Sequence, residues 1–231
     1  MMTDPTDAPP LSADDVVMIA DDEAFSRFLT AELFDQLGKP QIIAARDGHE
    51  ALALLADPAA AELRVVVLDF NMPGVNGIEV LKAIRSGGLA VAHDVIVMMV
   101  TSVDVLVLVA AAVALDVDAF LSKPTSAAVL RRHLTELLGS GRDCQPAERY
   151  AAIDVEWMVA GGMIDTSLGQ GEAVGLADLR EGMVIARNLL DPSGGLVVAA
   201  GTRVTARLQR LLHWLADAGV SLDGLRVVRP C

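Results

Sequence analysis

Four short apolar runs set the frame of this chain. Val16–Ala20, Val65–Leu68, Val95–Val100 and Ala119–Leu121 are rich in β-branched and other apolar residues, and each gives way at once to polar ones. Runs this short and this apolar predict strands buried on both faces, as in parallel sheets. Between them the spacing turns helical. From Glu23 to Leu37 the residues Phe25, Phe28, Leu29, Leu33 and Leu37 fall close to one helical face, and Gly38 follows as a C′ residue. Gln41–Ala45 reads as a fifth strand, Asp47-Gly48 as a turn, and Glu50–Leu55 as the start of a helix. Asn76-Gly77 is a second turn, ahead of a helix from Ile78 to Arg85. Strands alternating with helices predict βαβ units, an α/β class and a doubly wound, five-stranded parallel sheet.

One helix breaks the pattern. Val105–Leu115 holds no polar residue, whereas a surface helix needs a polar face. The stretch Val95–Leu115 is long enough for a membrane span, but Thr101, Ser102 and Asp104 sit in its middle, where polar groups are expensive in lipid. The expectation is a helix buried on both sides, its outer face covered by a second domain or another subunit. Val105, Val107, Leu108, Ala111 and Leu115 are the candidate interface residues.

Beyond residue 139 the pattern loosens. Residues 140–173 read as a linker with a possible helix from Tyr150 to Val159, and with flexible glycine-rich stretches at Gly161-Gly162 and Gly169–Gly175. Residues 174–231 predict a small α+β module: strands Met183–Leu190 and Leu196–Ala200 as a hairpin around Asp191–Gly195, then a helix, then a strand at Leu225–Val228. Thr205 is the candidate N-cap of that helix, and Leu208, Leu211, Leu212 and Leu215 share one face. A module this small has little core of its own and is expected to lean on something else.

The candidate chemistry lies where the strands end. Asp21-Asp22 follows the first run, Asp69 the second, Thr101 the third and Lys123 the fourth. Parallel strands place all these ends on one edge of the sheet, where open α/β folds carry their sites. Three carboxylates that close repel one another and call for a cation or for protons. Oxygen donors of this kind suit a hard ion such as Mg2+. A Lys and a Thr hydroxyl opposite the metal fit a phosphoryl group, and the nucleophile would be a carboxylate.

Residues 14–139 resemble the CheY-like receiver domain of two-component response regulators. The resemblance is carried by Asp21-Asp22, Leu68-Asp69-Phe70-Asn71-Met72-Pro73-Gly74, Thr101-Ser102 and Lys123-Pro124, in matching order and spacing. It implies the flavodoxin-like fold. It also implies that Asp69 accepts a phosphoryl group from a sensor histidine kinase or phosphotransfer protein. Asp22, Asp69 and the backbone carbonyl of Asn71 would hold Mg2+, with Asp21 acting through water. Thr101 would bind a phosphoryl oxygen, and Lys123 would pair with it. The switch residue falls on Phe120, which has no hydroxyl and must be read by packing alone. In the family the all-apolar helix and its successor form an output and dimerisation face, so a homodimer or a downstream protein partner is implied. Ala177–Arg187 with Ala199–Thr202 resembles a small β-rich segment found beside HD-GYP phosphodiesterase domains. The enzymatic part is missing: the chain has four histidines, no Gly-Tyr-Pro and one His-Asp pair, His93-Asp94. The chain is therefore expected not to be an enzyme in its own right.

Charge narrows the partners. The net charge is −13, and nearly all of it belongs to residues 1–139, with 20 acids against 9 bases. That argues against broad nucleic-acid binding. A DNA-binding output remains the alternative, because Arg203, Arg207 and Arg210 lie at helix-like spacing. A regulatory part in cyclic di-GMP signalling is another. Two cysteines, Cys144 and Cys231, make no framework and suit a reducing cytoplasm. Residues 1–13 are polar and Pro-rich at their start, lack the pattern of a signal peptide and read as a disordered tail.

Overall fold

The apolar runs become the strands of one parallel sheet. A computed structural model describes residues 9–101, 109–140, 144–159, 168–192, 194–217 and 219–229. The strands β1 (Val16–Ala20), β2 (Gln41–Ala45), β3 (Leu63–Asp69), β4 (Ile96–Thr101) and β5 (Ala119–Ser122) lie in the order β2-β1-β3-β4-β5. β1 pairs in parallel with β2 and β3, and β3 with β4. Parallel neighbours need crossovers. These are α1 (Ala24–Asp35), α2 (Gly48–Ala56), α3 (Gly77–Arg85) and α4 (Val109–Ala114), with α5 (Ala127–Gly139) after β5. This is the five-stranded flavodoxin-like arrangement. The strand order reverses between β1 and β3, so the crevice at their C-terminal ends is the topological switch point.

Local chemistry sets the helix starts. Asp47 caps α2 by accepting from Glu50 N at 2.8 Å, so the helix takes in Gly48, which the sequence placed in a turn. Asn76 caps α3 with a full capping box: Ile78 N and Glu79 N donate to its side chain, and its own N–H donates to Glu79. Gly77 therefore opens α3, and its lack of a side chain is required, because a Cβ there would stand 2.3 Å from the Asp69 carbonyl oxygen. Gly38 lies beyond the Gln36 cap of α1 at φ +135°, with the Leu11 carbonyl where a Cβ would be. Leu11, inside the stretch expected to be a tail, is buried and its N–H donates to Leu37 O at 3.2 Å. Residues 1–8 lie outside the described residues.

α1 is rotated relative to the expected face. Thr30 and Phe34 point into the core, whereas Phe25, Phe28 and Leu29 are 66%, 57% and 46% exposed. The physical reason is polar: Ser26 and Arg27 both bond to Asp21 and turn their side of the helix toward the end of β1.

The chain forms two compact units, residues 1–101 with 121–151 and residues 102–120 with 152–231. In the first, α6 (Ala147–Ala151) packs on α3, and its buried Tyr150 hydroxyl accepts from Gln145 N at 2.7 Å. In the second, α4 packs against α7 (Val155–Val159) and against β9 (Leu196–Val198), the second strand of a hairpin. The helix expected from Tyr150 to Val159 is thus two short helices. The region expected as linker contains β6 (Glu172–Ala173). The single strand expected over Met183–Leu190 is β7 (Val184–Ile185) and β8 (Leu189–Leu190), because the two halves pair differently. β8 and β9 form the hairpin, closed by Asp191, which accepts from Gly195 N at 2.9 Å. β10 (Arg226–Val228) lies between β6 and β7, antiparallel to both. Between β9 and β10 runs α8 (Ala206–Asp217), started by Thr205, whose hydroxyl accepts from Leu208 N at 3.2 Å, and anchored by Leu208, Leu211, Leu212 and Leu215. Among the described residues no helix is long and apolar enough to cross a membrane.

α5 carries a pH liability. His133 is buried, and its Nε2 has no hydrogen-bond partner among the described residues. Burial, helped by Arg132, lowers its pKa below the ordinary imidazole value. The unfolded chain therefore takes up this proton more readily than the folded one. The contribution is intact above the unfolded pKa and is lost as pH falls through the folded one. Urea unfolding of the wild type and His133→Phe at pH 7.5 and 5.0 checks this. The variant is expected to lose less stability on acidification, and equal losses would remove His133 from the account.

Candidate functional site

Register brings the acids together. Ala20 of β1 is level with Leu68 of β3, so Asp21 and Asp69 leave their strands side by side. Asp22 follows on the same edge. Carboxylate oxygens of Asp21, Asp22 and Asp69 all lie within 4.8 Å of one another, with Asp21 and Asp69 buried and Asp22 exposed. Lys123, just past β5, reaches into this cluster. Its Nζ stands 2.5 Å from Asp69 Oδ1 and 3.0 Å from Asp21 Oδ2. The Lys123-Pro124 peptide is cis.

Asp21 is held from several sides. Glu23 N donates to Oδ1 at 2.9 Å and Ser26 Oγ to Oδ2 at 2.6 Å, while Arg27 Nη1 donates to its carbonyl at 2.5 Å. Ser26 and Arg27 were not visible as site residues from the sequence. Their signal was position: the first turn of a helix that starts directly after a strand-end acid faces back on that acid. Asp69 is held by Lys123, and the loop after it is fixed by Phe70 N donating to Val100 O at 3.2 Å and Gly77 N donating to Phe70 O at 3.1 Å. Asn71 stands in this loop and is exposed. Thr101 is the last residue of β4, one beyond Val100, which is level with Asp69. The Thr101 side chain, and Val105, Val107 and Leu108, lie outside the described residues. Ala111, Leu115 and Phe120 are buried, and Phe120 stacks on Trp214 with ring centroids 5.4 Å apart.

The electrostatics follow from this packing. Burial raises the Asp69 pKa. The hydrogen bond and charge of Lys123 oppose that rise without cancelling it, and Asp21 and Asp22 add to it. Burial pulls the Lys123 ammonium down, but its bonds to Asp69 and Asp21 outweigh that and leave its pKa raised. Three carboxylates share one ammonium, so the pocket has a surplus of negative charge. Its donor set, all oxygen and partly buried, fits a hard divalent cation such as Mg2+. Asp69 is the acid nearest the ammonium, which suits a nucleophile that must accept an anionic group.

Comparison with known proteins places the chain in a family. The response regulator receiver domain family matches residues 17–135. The chain is 29% identical over 125 residues to a chemotaxis protein CheY homolog of Campylobacter jejuni, covering 54% of this chain and 93% of that protein. It is 27% identical over 124 residues to chemotaxis protein CheY1 of Helicobacter pylori, covering 54% of this chain and 97% of that protein. Among solved structures it is similar to the CheX-CheY-BeF3-Mg complex of Borrelia burgdorferi, with a TM-score of 0.49, 24% identity, and coverage of 55% of this chain and 90% of that one. The family match takes in just over half of the 231 residues, from β1 into α5, and the chain belongs to the response regulator receiver family of two-component signalling.

Proposed function

We propose that this protein is a phosphorylation-controlled signalling protein whose phosphoacceptor is Asp69. The observation that carries the reading is the Asp69–Lys123 pair at 2.5 Å, set among two further carboxylates at a sheet switch point. An Asp69 carboxylate oxygen attacks phosphorus of a phosphohistidine on a sensor kinase or phosphotransfer protein. The new O–P bond forms as the P–N bond breaks, and the imidazole leaves with the electron pair and takes a proton from water. Asp22, Asp69 and the Asn71 carbonyl would hold Mg2+, with Asp21 acting through water, and the bound charge would offset the carboxylates and the phosphoryl oxygens. Lys123 neutralises the entering group on the other side, and Thr101 donates to it. Ser26 and Glu23 N keep Asp21 oriented toward the pocket. The exposed ridge of Phe25, Phe28 and Leu29 on α1, directly after Asp21-Asp22, supports docking of a protein donor beside the pocket.

Output runs through α4 and β5. Val109, Ala110, Ala111, Ala112 and Val113 of α4 are buried, and the helix packs on α7 and β9, which favours the C-terminal module over a second subunit as its cover. The DNA-binding alternative draws little from α8. Arg207, the middle of the three arginines singled out, is taken up by Asp116 and Asp118. The family match ends at residue 135 and lends nothing to the likeness of residues 177–202 to the segment beside HD-GYP domains, so the proposed function rests on the receiver.

Acetyl phosphate with Mg2+ is expected to add one phosphoryl mass to the intact protein, and Asp69→Asn to abolish the gain. Labelling of Asp69→Asn at the wild-type level would sink the assignment.

A further inference from the structure

We infer that α8 is an internal latch on β5, in which Trp214 reads Phe120 and Arg207 grips the turn that leads into it, and that a phosphoryl group on Asp69 loosens this latch. The inference rests on Asp69 being the phosphoacceptor. Its geometry lies within the second compact unit. Arg207, Leu211 and Trp214 fall at i, i+4 and i+7, one face of α8. On that face the Arg207 side chain, almost fully buried, sets Nε 3.1 Å from Asp118 Oδ1 and Nη1 3.5 Å from Asp116 Oδ1. Asp116 lies at φ +52°, so the chain turns sharply between α4 and β5 where the guanidinium grips it. Two turns along, the Trp214 indole lies over the Phe120 ring at an interplanar angle of 26°. Stacked pairs of this kind depend on ring offset and separation, so a small displacement of either ring is felt by the other.

The link to the pocket is covalent. Phe120 and Lys123 are three residues apart at the end of β5, and Lys123 Nζ is bonded to Asp69 and Asp21. A phosphoryl group on Asp69 moves the negative oxygens outward from the carboxylate. Lys123 follows them, and the strand end carries the change to Phe120. Phe120 has no hydroxyl with which to signal, so packing is its only output, and the surface placed to register packing is the Trp214 indole. The same contacts mean that Asp116, Asp118 and Phe120 are already occupied by the chain's own helix. A partner for this face has to displace α8.

The chain has two tryptophans, so Trp157→Phe leaves Trp214 as the sole indole of the full-length protein. With Mg2+, acetyl phosphate is added while phosphoryl gain is followed by intact mass. The expected result is a red-shifted Trp214 emission and a several-fold rise in acrylamide quenching, both in proportion to the mass gain. Phe120→Ala in the same background is expected to give that emission without acetyl phosphate. Hydrogen–deuterium exchange over residues 206–217 of the unaltered chain gives an independent reading, with faster exchange expected on phosphorylation. Full mass gain with unchanged emission and unchanged exchange overturns the latch and leaves the phosphoacceptor standing. No mass gain overturns the phosphoacceptor, and the latch with it.

Discussion

Lys123→Ala is expected to destabilise the protein at pH 7.5 without divalent cation by about 2–3 kcal/mol. The lower end of what breaking a buried ion pair costs applies, because the lysine is partly open to solvent. Asp21 and Asp69 are buried, and Lys123 is the cation bonded to both. The loss should shrink at pH 5. The Asp69 pKa is already raised in the folded wild type, so this carboxyl binds its proton more tightly folded than unfolded. Its contribution is fully present below the unfolded pKa and is lost as pH rises through the folded one. Removing the ammonium raises that folded pKa further, so more of the variant is relieved by protonation in mild acid. Lys123, itself raised, contributes through the whole neutral range and loses its effect only in strong alkali. Mg2+ at about a hundred times its dissociation constant should add ~2.7 kcal/mol to either protein. Asp69→Asn in the Lys123→Ala background should recover most of the loss, since it removes the surplus charge. Urea unfolding at both pH values measures all four quantities. A deficit that stays constant between pH 7.5 and pH 5 would show that charge in this pocket is not what Lys123 balances.

Why the pocket could be read in advance and its surroundings could not has a physical explanation. A strand buried on both faces must be apolar throughout, so the first polar residue after it marks the sheet edge. Asp21 and Asp69 were legible for that reason, and Lys123 stands one residue past Ser122, the polar end of β5. The facing of α1 was not. Its periodicity pointed Phe25, Phe28 and Leu29 inward, but the bonds of Ser26 and Arg27 to Asp21 rotate the helix, and a few strong polar contacts outweigh a weak apolar stripe. The leucines of α8 announced a buried face. Nothing local announced that Arg207 and Trp214 belong to it, because Asp116, Asp118 and Phe120 come from far earlier in the chain. What the sequence did carry was the need for a cover. An apolar segment with no polar face, Val105–Leu115, cannot stand against water, and among its described residues Val109, Ala110, Ala111, Ala112, Val113 and Leu115 are buried.

Arg207→Ala is expected to cost the second unit about 3 kcal/mol, more than any surface arginine would. The side chain is 7% exposed and Asp118 4%, so the substitution removes a cation that stands 3.1 Å from a buried carboxylate. Arg207→Lys should recover only part of this, because one ammonium cannot reach Asp116 and Asp118 as the planar guanidinium does. Arg207→Met with Asp118→Leu should recover more, since an apolar pair avoids the desolvation of both ions. Urea unfolding in the Trp157→Phe background, followed by Trp214 emission, measures the series. A loss below about 1 kcal/mol for Arg207→Ala would place the ion pair among exposed ones and end the argument for a buried clamp. The pocket residues Asp21, Asp69 and Lys123 all belong to the other unit, so the Asp69 chemistry should survive the change. Coupling is reciprocal: a latch that opens on phosphorylation must, when opened by mutation, favour the phosphorylated form. The fraction of Arg207→Ala phosphorylated at a fixed, subsaturating acetyl phosphate concentration should therefore exceed that of the wild type, and a lower fraction would mean that α8 supports the phosphorylated state instead of restraining it.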